Sequence, residues 1–192
     1  MKKISPVFLA VLMIFGLSGV AFGDQNNYFN FFVGFSSPSD SEVSDPALSS
    51  DIDLSYDAGY LFGAAVGHDF GRFRFDAEMS YQKNDIDEDL EGDITLFNLL
   101  ANFYWDIISS GAFTPYLTTG LGLTSAEVKL SGANEHDAVT SMHFGTGVLY
   151  AFSDKASLDV RYRYQITSDF EISTSTIDFG SHSLTAGINW KF

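Results

Sequence analysis

Residues 72–83, RFRFDAEMSYQK, put Phe73, Phe75, Ala77, Met79 and Tyr81 on one side and Arg72, Arg74, Asp76, Glu78, Ser80 and Gln82 on the other. Side chains of a strand point alternately to opposite faces, so a strict period of two marks a strand with one apolar and one charged face. Strands of soluble proteins run to about five or six residues, and this one is roughly twice that. A long strand with one largely apolar face and one polar, charged face must separate two very different environments.

The pattern recurs. In residues 158–165, LDVRYRYQ, Leu158, Val160, Tyr162 and Tyr164 oppose Asp159, Arg161, Arg163 and Gln165. At the end, Leu184, Ala186, Ile188, Trp190 and Phe192 oppose Ser183, Thr185, Gly187, Asn189 and Lys191. Five further segments, 28–36, 57–70, 94–107, 113–128 and 139–152, alternate with more noise. In 57–70 the row Tyr60, Phe62, Ala64, Val66, His68, Phe70 faces away from a glycine-rich row. The total predicted is eight strands.

A soluble sandwich turns its apolar face inward, whereas a membrane barrel turns it to lipid and lines its interior with the polar face. The length of the strands favours the barrel, because about 9–11 tilted residues cross a bilayer. So do the polar faces, whose glycines and opposed charges suit an interior only wide enough for side chains. So do the links. Those near 70–72, 106–113 and 152–156 are short, and those at 37–56, 84–93, 129–138 and 168–180 are long, as in barrels with short periplasmic turns and longer outer loops. The expected fold is all-β: an eight-stranded antiparallel transmembrane up-and-down β-barrel with both termini on the periplasmic side.

The first 23 residues read as a cleaved signal peptide. Lys2 and Lys3 precede an apolar run, and small residues at Ala21 and Gly23 form a cleavage site. The expected domain division is a signal peptide at 1–23 and a barrel at 24–192. Without the leader the chain carries 8 basic and 25 acidic residues, a net charge of −17. That argues against nucleic acid as a partner. The absence of cysteine excludes disulfides, thiolate metal sites and a lipid anchor on cysteine.

A barrel in lipid must pair its last strand with its first. The ending TAGINWKF reads as that closing strand, with Trp190 and Phe192 at the lipid boundary, where aromatic rings favour the interface. It is also similar to the C-terminal assembly signal of outer-membrane proteins, with Thr185, Gly187, Trp190 and Phe192 in the signal positions. YLFGAAVGHDF at 60–70, TPYLTTGLGLT at 114–124, FGTGVLYAFSDKASLDVRYRY at 144–164 and this ending together resemble the opacity-protein/OmpA-like family of small outer-membrane β-barrels. The resemblance spans residues 24–192. His68 stands where an aromatic ring is more usual. The resemblance implies a location in the bacterial outer membrane, contact with outer-membrane lipid and lipopolysaccharide, and delivery by the barrel-assembly machinery.

Arg74, Asp76, Glu78, Asp159, Arg161, Arg163 and Lys191 are predicted to point inward. They could form a salt-bridged plug or a selectivity lining, and the narrow interior favours the plug. The four long links hold 16 acids against Lys129. Clustered carboxylates can bind divalent cations, and Asp85, Asp87 and Asp89 mimic the start of a calcium-binding loop. That loop needs glycine where Leu90 stands, so a solvated acidic surface is preferred. His68, His136, His143 and His182 show no paired metal spacing. A lipid-modifying enzyme would need a Ser–His–acid set. His182 has Ser181 and Ser183 beside it and Glu171 in the preceding link, but adjacent residues face opposite ways. No catalytic, cofactor or metal residue is therefore assigned. The expected role of this monomer is structural and surface-interactive: envelope integrity, adhesion or host contact through acidic outer loops. A narrow low-conductance channel is the alternative and an enzyme the third reading.

Overall fold

The computed structural model describes residues 26–39, 41–44, 52–54, 58–85, 92–108, 111–130, 133–168, 170–172, 175–177 and 180–192. The expected signal peptide lies outside them. Among the described residues the strands are, in chain order, β1 Asn27–Pro38, β2 Ser41–Ser44, β3 Ile52–Leu54, β4 Gly59–Asp69, β5 Phe73–Asp85, β6 Gly92–Asp106, β7 Phe113–Leu130, β8 Ala133–Ala151, β9 Ala156–Thr167, β10 Phe170–Ile172, β11 Ser175–Ile177 and β12 Gly180–Lys191. The eight long ones close into a barrel in the order β1-β12-β9-β8-β7-β6-β5-β4, each antiparallel to both neighbours. The four short ones form a separate sheet, β10-β11-β2-β3.

Alternation decides what each face meets. On β1 the outward Phe31, Val33 and Phe35 are 61%, 65% and 73% exposed, while inward Tyr28 and Phe32 are 1% and 5% exposed. On β5 the outward row Phe73, Phe75 and Met79 is exposed, and Arg74, Asp76, Glu78, Ser80 and Gln82 are buried. The charged row is thus the inside of the molecule and the phenylalanine row its outer wall, the reverse of a soluble core.

The seam between β1 and β12 closes the ladder. Phe31 pairs with Ile188, Phe32 with Gly187 and Val33 with Ala186. Past the last strand residue, the Phe192 amide still donates to the Asn27 carbonyl at 3.0 Å, and the Phe192 ring stacks on Phe29 at 4.6 Å between centroids. Glycine is required at 187, because a Cβ there would lie 2.5 Å from the Phe31 carbonyl oxygen and 2.8 Å from the Phe32 Cβ.

The short connections from β4 to β5, β6 to β7 and β8 to β9 share one end of the barrel with Asn27 and Phe192. The first is tight: the Phe70 amide donates to the Phe73 carbonyl at 2.8 Å, and Gly71 has φ +91°, a left-handed conformation that glycine adopts at low cost. At the other end the expected ten-residue link over 129–138 is corrected. β7 and β8 run on until only residues 131 and 132 separate them, with Glu127 opposite His136 and Leu130 opposite Ala133. Beyond an apolar band a hydrogen-bonded ladder needs no apolar face, so the strand persists where the hydrophobic alternation stops. The links 37–56 and 168–180 were expected to be loops, and both contain strand: β2 and β3 in the first, β10 and β11 in the second.

Candidate functional site: the charged barrel interior

The inward faces of β5 and β9 bring Asp76, Glu78, Asp159, Arg161 and Arg163 together inside the barrel, where neutral polar groups of β1, β6 and β7 meet them. Glu78 on β5 is the hub. Arg163 grips it with two parallel bonds of 2.7 Å, from Nη1 to Oε1 and from Nη2 to Oε2. Arg161 reaches Glu78 Oε2 at 3.3 Å through Nη1 and Asp159 Oδ2 at 2.7 Å through Nη2. Asp159 also accepts from the Tyr116 hydroxyl at 2.5 Å and from Asn30 Nδ2 at 3.0 Å. Asp76 takes its hydrogen bonds from neutral groups, Tyr28 at 3.0 Å and Asn102 at 2.8 Å, and Asn102 also donates to Glu78 at 3.0 Å.

Nearer the end that carries the termini, Arg74 holds Asp106 in a bidentate pair, Nη2 to Oδ1 at 2.9 Å and Nε to Oδ2 at 3.0 Å. Its guanidinium lies 4.5 Å from the Tyr104 ring centroid and 4.8 Å from that of Tyr116. Arg161 lies 5.2 Å from the same Tyr104 ring, so this aromatic residue joins the two ion-pair groups. Arg74, Glu78, Asp159 and Arg161 are all buried. Buried ions persist only when paired and hydrogen-bonded. The arrangement therefore works chemically as an electrostatic lock across five strands.

Toward the opposite end the network turns neutral. Thr124 Oγ1 lies 2.6 Å from Asn98 Oδ1 and 2.9 Å from Ser141 Oγ, and Gln165 donates to Asn98 Oδ1 at 2.9 Å. Gln82 donates to Asn84 at 2.9 Å and to Ser181 at 3.1 Å. Both ring nitrogens of buried His143, with Asn102 Oδ1 and Arg163 Nε, lack a hydrogen-bond partner among the described residues.

Six of the seven predicted lumen charges, Arg74, Asp76, Glu78, Asp159, Arg161 and Arg163, meet in this interior. Lys191 does not. It sits at the mouth of the barrel, half exposed, with Nζ 2.7 Å from Asp69 Oδ2. As the last residue of its strand it has the inward parity but no barrel wall above it. Asp106, Tyr28, Asn30, Asn102, Tyr104 and Tyr116 were not singled out in the sequence. The β6 segment shows why: its inward row mixes Ile94, Leu96 and Leu100 with Asn98, Asn102 and Asp106, so neither face reads as polar.

The other candidates separate. His182 faces outward and its Nδ1 lies 2.7 Å from the Tyr162 hydroxyl, while Ser181 and Ser183 are buried inside. The Glu171 side chain, Asp87 and Asp89 lie outside the described residues. His68 Nδ1 meets Asn27 Oδ1 at 2.7 Å. Among the described residues no group of three or more His, Asp or Glu could hold a metal ion. Of the predicted assembly signal, Thr185 is buried with Oγ1 3.4 Å from the Arg161 carbonyl, Gly187 and Phe192 sit at the seam, and Trp190 is 50% exposed on the outer wall.

A closed, inside-out barrel is the architecture of bacterial outer-membrane proteins, and a family model described as "Outer membrane protein beta-barrel domain" matches residues 7–192. This chain belongs to that family. It is an outer-membrane protein. Outer membrane protein PagN of Salmonella typhimurium is 33% identical over 87 residues, which cover 39% of this chain and 36% of that protein. The match thus spans about a third of that relative's length. Among solved structures, Neisserial surface protein A superposes with a TM-score of 0.64 at 22% identity, over 86% of this chain and 97% of its own. The outer membrane protease OmpT from Escherichia coli superposes with a TM-score of 0.58 at 8% identity, over 90% of this chain and 98% of its own. At those identities the two share the fold alone with this barrel.

Replacing Arg161 with leucine would leave Glu78 and Asp159 without a shared cation inside the barrel. Breaking one side of a buried ion pair costs about 3–5 kcal/mol, whereas an exposed turn charge such as Arg72 contributes little. Urea unfolding in detergent should place the midpoint of Arg161→Leu well below wild type and that of Arg72→Leu close to it. Equal midpoints would contradict the lock.

Proposed function

We propose that this barrel is a closed, monomeric envelope protein that holds an acidic platform on the outer surface of the cell, for envelope integrity and for contact with host or other surface ligands. The end with the termini and short turns faces the periplasm. The other end, with the acidic links, faces outward. The observation that carries the reading is the small sheet β10-β11-β2-β3. It pairs two links that leave the barrel at different places, one between β1 and β4 and the other between β9 and β12, through Thr176 opposite Ser44 and Ile177 opposite Val43. A platform tied together by backbone pairing presents a defined surface at lower ordering cost than separate loops.

The filled interior supports a closed role over that of a narrow channel. The opposite facing of His182 and its neighbouring serines gives the enzyme reading no constellation to stand on. Biogenesis follows from the ending: the barrel-assembly machinery recognises Thr185, Gly187, Trp190 and Phe192 on the closing strand.

Two experiments test this. Intact cells carrying the wild-type chain should adhere to immobilised host surface and matrix proteins several-fold better than cells carrying a chain without residues 41–54. Because the platform is acidic, that difference should shrink as salt rises. Unchanged adherence on every surface, with equal folded protein in the membrane, would refute the platform.

Deleting Phe192 removes the Phe29 stack and the amide bond to Asn27, and with them the last position of the assembly signal. The chain should be exported but accumulate unfolded, with loss of the heat-modifiable folded band on gels. Undiminished folded protein in the outer membrane would show that Phe192 has no part in assembly.

A further inference from the structure

We infer that Asp76 is a proton-binding site inside the barrel, where the folded protein holds a proton that the unfolded chain releases. The charges of the inward row do not balance. Among the described residues three arginines, Arg74, Arg161 and Arg163, stand against four buried acids, Asp76, Glu78, Asp106 and Asp159. Three of the acids are matched. Asp106 pairs with Arg74 at 2.9 Å, Glu78 with Arg163 at 2.7 Å and Asp159 with Arg161 at 2.7 Å. Lys191 and Asp69 at the mouth cancel each other and leave the count unchanged. Asp76 forms no ion pair among the described residues, so the interior carries one carboxylate too many. A buried, unmatched negative charge is costly, and a single bound proton removes it.

The neighbours of Asp76 suit a neutral acid. From β1 the Tyr28 hydroxyl meets its Oδ2 at 3.0 Å, and from β6 Asn102 Nδ2 donates to its Oδ1 at 2.8 Å. A hydroxyl both donates and accepts, so Tyr28 serves the protonated acid as well as the ionised one. The same Asn102 Nδ2 donates to Glu78 Oε2 at 3.0 Å. Two carboxyl groups of β5 therefore share one donor, and like charges held that close oppose ionisation of both. Glu78 keeps its charge through Arg163, so the proton falls to Asp76. Tyr104 on β6 also faces Asp76 and is neutral. Arg161 on β9 faces it too, but its guanidinium is bonded to Glu78 and Asp159. Arg74, two residues earlier on β5, is bonded to Asp106. His143 on β8 faces Glu78 and Arg163. A charged imidazole there would balance the count as well, but it would stand beside a like charge.

The consequence runs against the usual acid response. Carboxyl groups of an unfolded chain are solvated and stay ionised down to about pH 4. A folded state that holds an extra proton above that range gains stability as pH falls toward it. The barrel is thus reinforced in mildly acidic surroundings, until the paired acids themselves begin to protonate.

Wild-type barrel in detergent micelles, isotope-labelled at its carboxyl and imidazole groups, can be titrated by NMR from about pH 8 to about pH 4. The Asp76 carboxyl carbon should move to the protonated position well before the solvated acids do, while Asp106 and Asp159 keep the carboxylate position. Asp76→Asn imitates the protonated side chain, since its oxygen can accept from Asn102 and its nitrogen can donate to Tyr28. Its urea midpoint should exceed that of wild type at about pH 8, and the two should converge by about pH 5. One proton changes the folding equilibrium by at most about tenfold per pH unit, which bounds the rate of convergence. Asp159→Asn strips Arg161 of a partner and should lie below wild type at both pH values. If Asp76→Asn does not fold, the wild-type titration decides alone. An Asp76 signal that stays ionised alongside Asp106 and Asp159, a gap between wild type and Asp76→Asn that does not change with pH, or an imidazolium signal from His143 in place of a neutral Asp76 would overturn the assignment.

Discussion

A backbone in hydrocarbon has no water to satisfy its amides and carbonyls, so every one of them must find a partner within the protein. For strands the solution is closure, and in this chain closure rests on the pairing of β1 with β12. Several features of the two strands serve that seam. Gly187 lets the Phe32 side chain lie against the neighbouring backbone. Phe192 extends the ladder by one amide and adds a ring stack. Once the sheet is closed, the alternation of each strand turns one row outward and the other inward, and composition follows: phenylalanine and leucine on the wall, charge and amide within.

Closure also creates the interior's difficulty. The inward row is buried within the barrel, and among the described residues it includes three arginines and four acids, Asp76, Glu78, Asp106 and Asp159. Each arginine is tied to at least one carboxylate, and the carboxylate left over, Asp76, is held by Tyr28 and Asn102. Tyr104 and Tyr116 place ring faces against guanidinium groups, so the aromatic residues inside serve electrostatics as much as packing. A hydrophobic filling would stabilise the interior at lower desolvation cost. It would also make the inner and outer faces alike and leave each strand's register weakly specified. Charge inside and hydrocarbon outside make a one-residue slip prohibitive.

That same contrast made the fold legible in the sequence. β5, β9 and β12 alternate so cleanly that their facing, and with it six of the interior charges, could be read residue by residue. β6 could not be read that way, because Ile94, Leu96 and Leu100 face inward beside Asn98 and Asn102. Asp106 stands where the alternation of β6 gives way to a turn, and only its pairing with Arg74 marks it as an interior charge. The reach of β7 and β8 past the apolar band and the pairing of β11 with β2 depend on backbone hydrogen bonds, which leave no periodic mark on side chains. Lys191 had the right parity and the wrong height. Parity is a property of sequence, whereas height in the barrel depends on the stagger of neighbouring strands.

Ion pairs and polar side chains lie buried inside this closed outer-membrane barrel. Current through the purified protein in a planar lipid bilayer tests most directly whether they close it. A plug built on Glu78, Arg161 and Arg163 predicts a flat trace at modest voltage, with current steps appearing only when the lock is broken, as in Glu78→Ala. Regular ohmic steps from the wild-type barrel, unchanged in Glu78→Ala, would contradict the account.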